Sequence, residues 1–336
     1  MQWLHYVNLK GFDGMTILYE KVALIGLGLI GSSLARAMKR DGLCGKIVGA
    51  ARTKSTRQKA LELGFIDEAF EDMADAVKGA DLVVICTPLG AYKTVAKAIG
   101  PHIKAGATLT DVGSCKGSVV KDVTPHIGPD VHFIPGHPVA GTENSGPEAG
   151  FAELFENRYW IITPVENTKK AAVTKLQLML ESIGAMVEIM GAGHHDRVLA
   201  ITSHLPHIIA YTIVGTAADL ESQLARENAS ESDMVETKEV IKFSASGFRD
   251  FTRIAGSDPT MWRDVFLANK EATLEMLGRF SEDLAALQRA IRWGDGDKLF
   301  DWFTRTRDVR RGIIEEKQAG TFSAVEPETE LSETKN

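Results

Sequence analysis

Two clusters of residues stand out for what they could bind. Gly26-Leu27-Gly28-Leu29-Ile30-Gly31 is a Gly-x-Gly-x-x-Gly loop that follows the β-rich run Lys21–Ile25 and opens a helical pattern from Ser32 to Arg40. In that setting the first glycine makes a tight turn and the second lets the backbone approach a pyrophosphate. The third allows close helix–strand packing, with the phosphates at the helix N-terminus. Dinucleotide contacts are therefore expected from Gly26, Gly28, Leu29, Ile30 and Gly31, joined by Thr87 and Pro88 beyond a later strand. The second cluster is Arg52-Thr53-Lys54, at the end of the next strand, Lys46 to Ala51. NAD sites usually carry Asp or Glu there for the ribose 2′-hydroxyl. A 2′-phosphate would be repelled by an acid but clamped by Arg52, with Thr53 and Lys54 assisting. NADP is the favoured cofactor and NAD the alternative, in which Arg52 only stacks on adenine. His194, His195, His204 and His207 raise the idea of a metal, but the segment lacks the Glu of a His-Glu-x-x-His pattern, so no metal site is expected.

The elements that must position these residues follow from periodicity. Further strands read at Asp81–Cys86, Ala107–Asp111 and Val131–Ile134, with helices near Ser55–Leu63, Ala91–Ala98 and Lys116–Val123. This alternation implies a parallel sheet covered on both faces. Tyr159–Thr163 and Met186–Met190 read as two more strands around a helix near Thr168–Ile183. After Gly191 the apolar spacing becomes helical, near 194–220, 235–244, 259–290 and 295–315. Helices this apolar in so small a domain leave faces that a second copy of the chain would cover. The expected fold is thus an α/β Rossmann-like dinucleotide-binding domain over 15–190, followed by an all-α dimerisation domain over 191–317. Residues 1–14 read as a disordered leader, with Met15 an alternative start, and 318–336 as a disordered acidic tail. The charged insert Asp219–Glu239 reads as an exposed excursion.

Five segments carry a resemblance. They are Thr110-Asp111-Val112-Gly113-Ser114-Cys115-Lys116-Gly117, Pro135-Gly136-His137-Pro138 with the loop to Glu143, Thr202-Ser203-His204-Leu205-Pro206-His207, Ser246 to Ala255, and Asp258 to Asp264. In combination, over about residues 21–317, they resemble the prephenate/arogenate dehydrogenase family of tyrosine biosynthesis. The resemblance implies a cyclohexadienol substrate with a ring carboxylate and a three-carbon side chain. Its C4 hydride goes to the nicotinamide, its C4 hydroxyl loses a proton, and the carboxylate leaves as CO₂. The products are 4-hydroxyphenylpyruvate from prephenate and tyrosine from arogenate. It further implies that His137 hydrogen-bonds the C4 hydroxyl, while Ser114 orients His137 and approaches the nicotinamide. Arg253 would bind the ring carboxylate, and His207 with Ser203, one helical turn earlier, would lie near the side chain. Glu143 and Glu148 are candidates for recognising the ammonium of arogenate, and Trp262 and Asp250 read as packing residues. Two rivals remain. A β-hydroxyacid dehydrogenase needs a lysine acid/base on the helical domain, whereas Lys116 begins a Rossmann helix. A non-catalytic NADP-sensing regulator predicts a degraded cleft, yet His137, Ser114 and Arg253 are present.

Composition bounds the partners. The 336 residues are 44% hydrophobic and 25% charged, with 38 Lys+Arg against 45 Asp+Glu. No Lys/Arg run reads as a nucleic-acid stripe. Three scattered cysteines fit a reducing cytoplasm. Apolar runs look about one strand long, so no membrane span is expected. Asp219–Glu239 holds seven acids and two bases, and Thr321–Asn336 four acids and one lysine, so the rest of the chain is near neutral. Capture of an anionic ligand then rests on local cations and the helix start rather than on long-range attraction.

Overall fold

Strand β1 (Tyr19–Ile25) alternates its side chains between two apolar layers: Val22 and Leu24 enter one core, Ala23 and Ile25 the other. A strand buried on both faces needs helices above and below it. In this computed structural model, which describes residues 17–142, 144–228 and 242–315, they are supplied in alternation. The chain runs through α1 (Leu29–Arg40), β2 (Cys44–Ala50), α2 (Lys54–Glu62), β3 (Glu68–Phe70), α3 (Met73–Val77), β4 (Leu82–Ile85), α4 (Tyr92–Ile99), β5 (Thr108–Asp111), α5 (Lys116–Val123) and β6 (His132–Ile134). The six strands form a parallel sheet in the order β3-β2-β1-β4-β5-β6. The order reverses at β1, which opens a crevice at the carboxyl ends of β1 and β4.

The expected strands after residue 150 do not extend this sheet. β7 (Gly136–Pro138), β8 (Tyr159–Ile162) and β9 (Met186–Ile189), with α6 (Lys170–Ser182), form a separate three-stranded sheet. β7 runs antiparallel to β8, placing His137 opposite Ile161, and β8 runs parallel to β9. Three residues are too short for a period-2 signal, so β7 is created by its partner rather than by its own pattern.

The helical half begins as one rod: α7 (Ala192–Leu199), a π-helical turn Ala200–His204, and α8 (Leu205–Asn228). Then come α9 (Ser246–Thr252), α10 (Pro259–Ala268), α11 (Lys270–Trp293) and α12 (Gly296–Glu315). The helix expected over 259–290 breaks at Asn269, and the helix expected to end near 220 continues to Asn228. The first part of the charged insert is therefore helix and not an excursion. The rest of the insert, most of the 235–244 helix, the leader, the tail and Glu143 lie outside the described residues. Apolar length also needs correction, because Ala192–Leu224 is long and apolar enough, by length and composition, to cross a membrane. Scattered Ser, Thr, His and Gly break the run for the eye, while residues 198–218 carry no Asp, Glu, Lys or Arg. Ile201, Ile213, Val214 and Leu220 remain exposed along this rod. The change from α/β to helices falls at residues 190–191, while the compact units divide inside α11, between Met276 and Leu277.

Close packing of α1 on its strand depends on Gly31, where a Cβ would lie 2.5 Å from the Gly26 carbonyl oxygen. Gly31→Ala is expected to lower stability by about 1–3 kcal/mol. A denaturant midpoint equal to that of the wild type would contradict this.

Candidate active site

The glycine loop divides its work as expected. Gly26 has φ +105°, and a Cβ there would meet the Cys86 carbonyl oxygen at 2.6 Å. Gly28 opens onto free space and is the N-cap of α1, with no side-chain cap. The first amides of α1 thus lack protein partners and are suited to a phosphate. Thr87 Oγ1, just beyond β4, is buried without a partner, and Pro88 follows it into a short turn, Leu89–Ala91. These are the features a bound dinucleotide would complete. At the other end of the crevice Arg52 and Lys54 are exposed. Thr53 caps α2, accepting from the Thr56 amide at 3.2 Å. Arg57, which the sequence does not single out, donates to the carbonyls of Ala51 (2.8 Å) and Arg52 (3.1 Å) and pairs with Glu71 at 2.6 Å. It holds the turn that presents Arg52.

His137 is buried on β7 and ends a chain of hydrogen bonds. Its Nδ1 lies 2.8 Å from His195 Nε2, and His195 Nδ1 lies 2.8 Å from Asp196 Oδ1. The Asp196 carboxylate also accepts from the amides of Lys116 (2.7 Å) and Gly117 (2.8 Å), capping α5 from eighty residues away. Burial alone would raise the Asp196 carboxyl, but the bonds from His195, Lys116 and Gly117 outweigh it and hold the pKa below the ordinary value. An ionised carboxylate only accepts, so His195 carries its proton on Nδ1. In that tautomer the His195 Nε2 lone pair accepts from His137 Nδ1–H. His137 Nε2 is left as a lone pair. Burial, then the neighbouring His195, Lys116 and His204, hold the His137 pKa well below 6.5, so the ring stays neutral.

A second network fixes the backbone under His137. Asp111 Oδ1 accepts from Gly136 N–H at 3.0 Å, while Lys116 Nζ donates to Gly136 O at 2.5 Å and to Asp111 Oδ2 at 2.6 Å. Asp111 Oδ2 also accepts from Gly113 N–H and the Tyr92 hydroxyl. Both partners of the ion pair are fully buried. A side chain at Gly136 has no room, since its Cβ would lie 2.9 Å from both Asp111 O and Trp160 Nε1.

Ser114 sits between these networks, on the link from β5 to α5, and is half-buried. Its hydroxyl makes no hydrogen bond to His137; His195 fills the orienting position expected of it. His207 Nδ1 lies 2.8 Å from Ser203 O, and its ring stacks on Trp262 at 3.6 Å between centroids. The Ser203–His207 pairing thus runs through the Ser203 carbonyl. Trp262 is buried with Cys115 and Val265, so it brings α10 and His207 against the start of α5. Arg253 begins the short 3-10 segment Arg253–Gly256, which packs on α8 and is anchored by Tyr211 OH to Ser257 O at 2.9 Å. The Arg253 guanidinium is exposed and has no ion-pair partner among the described residues. Glu148 pairs with Lys59 on α2 at 3.5 Å, so it takes no part in the histidine cluster. His194 is exposed, and among the described residues no group of three acids, histidines or cysteines could hold a metal. The residues missed in the sequence were His195 and Asp196, whose adjacency just past the change to helices was the available signal.

The chain is similar to known proteins over most of its length. The family described as prephenate dehydrogenase, nucleotide-binding domain, matches residues 34–189, and its dimerization domain matches 191–305. A cyclohexadienyl dehydrogenase of Zymomonas mobilis is 41% identical over 303 residues, covering 89% of this chain and 97% of that protein. The crystal structure of prephenate dehydrogenase from A. aeolicus with hydroxyphenyl propionate and NAD+ superposes with a TM-score of 0.78 at 33% identity, covering 88% of this chain and 98% of that one. Synechocystis arogenate dehydrogenase gives 0.72 at 29% identity, covering 87% and 99%.

The tautomer chain can be read directly in a ¹⁵N-histidine NMR titration. His137 is expected to carry its proton on Nδ1 and to remain neutral below pH 6.5, because burial and its neighbours disfavour the cation. Asp196→Asn should abolish the fixed tautomer. Half-protonation of His137 at or above pH 6.5 would contradict the assignment.

Proposed function

The chain belongs to the prephenate dehydrogenase family, and from that premise we infer that it oxidatively decarboxylates prephenate, arogenate or both in tyrosine biosynthesis. The observation that carries the reading is buried His137 at the end of a hydrogen-bonded chain through His195 to Asp196, which leaves its Nε2 as the acceptor. A lone pair there accepts the C4 hydroxyl proton of the cyclohexadienol. A nicotinamide dinucleotide held at Gly26, Gly28 and the first turn of α1 would supply the acceptor for the C4 hydride. As positive charge arrives at His137 it is shared through His195 toward the Asp196 carboxylate, which is already ionised. Arg253, whose exposed guanidinium has no ion-pair partner among the described residues, holds the ring carboxylate by charge and geometry until it departs as CO₂. The electrons of the broken C–C bond enter the ring and make it aromatic. His137 then returns its proton to the phenolate oxygen, so CO₂ is the only group released. Ser114 lies on the β5–α5 link beside the relay and faces the nicotinamide in this reading. His207, with Ser203, receives the three-carbon side chain, and Glu143 stays a candidate for its amino group.

The chain binds a nicotinamide dinucleotide at the glycine loop. Preference for NADP is supported by Arg52 and Lys54, both exposed and free of any acid at the same turn. Neither rival reading is favoured: Lys116, which lies under His137, is sealed in an ion pair, and a sensor has no use for a proton acceptor so constructed. The division at 190–191 agrees with the two matched segments. The apolar rod Ala192–Leu224 takes a second copy of the chain as its partner in this reading, not a membrane. A cytoplasmic setting accords with free Cys44, Cys86 and Cys115.

Two measurements follow. His137→Asn should lower kcat by about 10²- to 10⁴-fold while dinucleotide binding persists, and full activity in that variant would refute the base assignment. A two-by-two assay of prephenate and arogenate with NAD and NADP identifies the natural pair. In the same assay Arg52→Ala should reduce kcat/KM for NADP about 10-fold and leave NAD nearly unchanged; equal losses with both cofactors would remove Arg52 from the 2′-phosphate site.

A further inference from the structure

We propose that Asn269 is a positioning residue that holds the π-helical turn of the Ala192–Asn228 rod in register, and so aligns both halves of the active site. The inference rests on the functional reading above for what is being aligned. Pro206 has no amide hydrogen, and its ring excludes a regular turn against the carbonyl four residues earlier. The rod responds by widening: Leu205 N–H bonds the Ala200 carbonyl, five residues back. Such an inserted residue rotates everything after it by about 100° relative to a plain α-helix. His195 and Asp196 precede the widened turn, whereas Ser203, His204 and His207 lie within or after it. Only one register serves the proton relay and the side-chain pocket together.

Asn269 bridges that turn. It occupies the break between α10 and α11, is 5% exposed, and lies just beyond the Asp258–Asp264 segment without belonging to any motif. Its Nδ2 donates to the Asp196 carbonyl at 2.7 Å and lies 3.1 Å from His204 Nδ1. The carbonyl settles the amide orientation, because Oδ1 in that place would oppose two acceptors. The second amide hydrogen is then free for His204 Nδ1, which must be unprotonated. His204 is neutral accordingly: burial lowers its pKa to about 4, with Asp196 opposing. One amide thus grips a residue on each side of the widened turn. His204 in turn meets the edge of Trp262, on which His207 stacks.

Two variants and one spectrum test this. Asn269→Leu keeps the volume and loses both bonds; kcat/KM for the cyclohexadienol should fall about 10-fold or more, with kcat reduced as well. The dinucleotide dissociation constant should stay within about twofold, since α1 and α2 are untouched. In Asn269→Asp the ionised form can donate to neither partner, whereas the protonated form can donate to one. Its activity relative to wild type should therefore rise as pH falls. In ¹⁵N-histidine spectra, His204 should be the Nε2–H tautomer in the wild type and lose that preference in Asn269→Leu. Unchanged kcat/KM in Asn269→Leu, a pH-independent ratio for Asn269→Asp, or a wild-type His204 protonated on Nδ1 would each overturn the proposal. Should Asn269→Leu fail to fold, the other two readouts decide. Failure of the wild type to turn over either substrate would refute the functional reading instead, and the His204 spectrum would still judge Asn269.

Discussion

The ionised carboxylate of Asp196 is the constraint on which the site depends. A carboxylate taken out of water costs several kcal/mol unless its lone pairs are satisfied. Here two helix amides and an imidazole satisfy them. The amides belong to the first turn of α5, where the helix dipole also favours negative charge. The same contact docks the helical rod onto the sheet domain. Gly117 is part of the bargain, for a Cβ there would lie 2.8 Å from Asp196 Oδ2. One group therefore fixes the approach of two elements and the tautomers of two histidines.

A complementary arrangement lies on the opposite side of His137. The Asp111–Lys116 pair occupies both polar groups of Gly136. A buried pair of this kind contributes little net stability. What it does here is specify one backbone path into His137, and leave a positive charge nearby that adds to burial and to His195 in keeping the imidazole neutral. The base is thus steered from its backbone side by one ion pair and from its ring side by another carboxylate.

Local signals in the chain foretell the cofactor half well. The glycine loop, Arg52 and the alternation of strands with helices depend on neighbours within about thirty residues, which periodicity reports, whereas the β1–β4 pairing that sets the strand order joins Val22 to Leu82 and is not written locally. The catalytic half is legible only through motifs. His137 and Ser114 stand out in their segments, but His195 looks like one of four scattered histidines until β7 pairs with β8. Asn269 leaves no trace, because its partners lie 73 and 65 residues away. The orienting role expected of Ser114 goes to a residue whose closeness arises from tertiary packing. Similarly, Glu148 looks near the site along the chain but pairs across space with α2.

The second compact unit, Leu277–Asn336, displays large side chains that a lone globule would hide. Trp293 is 79% exposed and Phe300 70%, with Leu284, Ile291 and Phe303 also uncovered. Whatever covers such a face binds the folded chain alone and deepens its stability by mass action. Where that cover is a second copy of the chain, as proposed above, folding is not a property of one molecule, and the melting temperature depends on how concentrated the chain is. A cell that makes less of it lowers the stability of each copy as well as the number of copies.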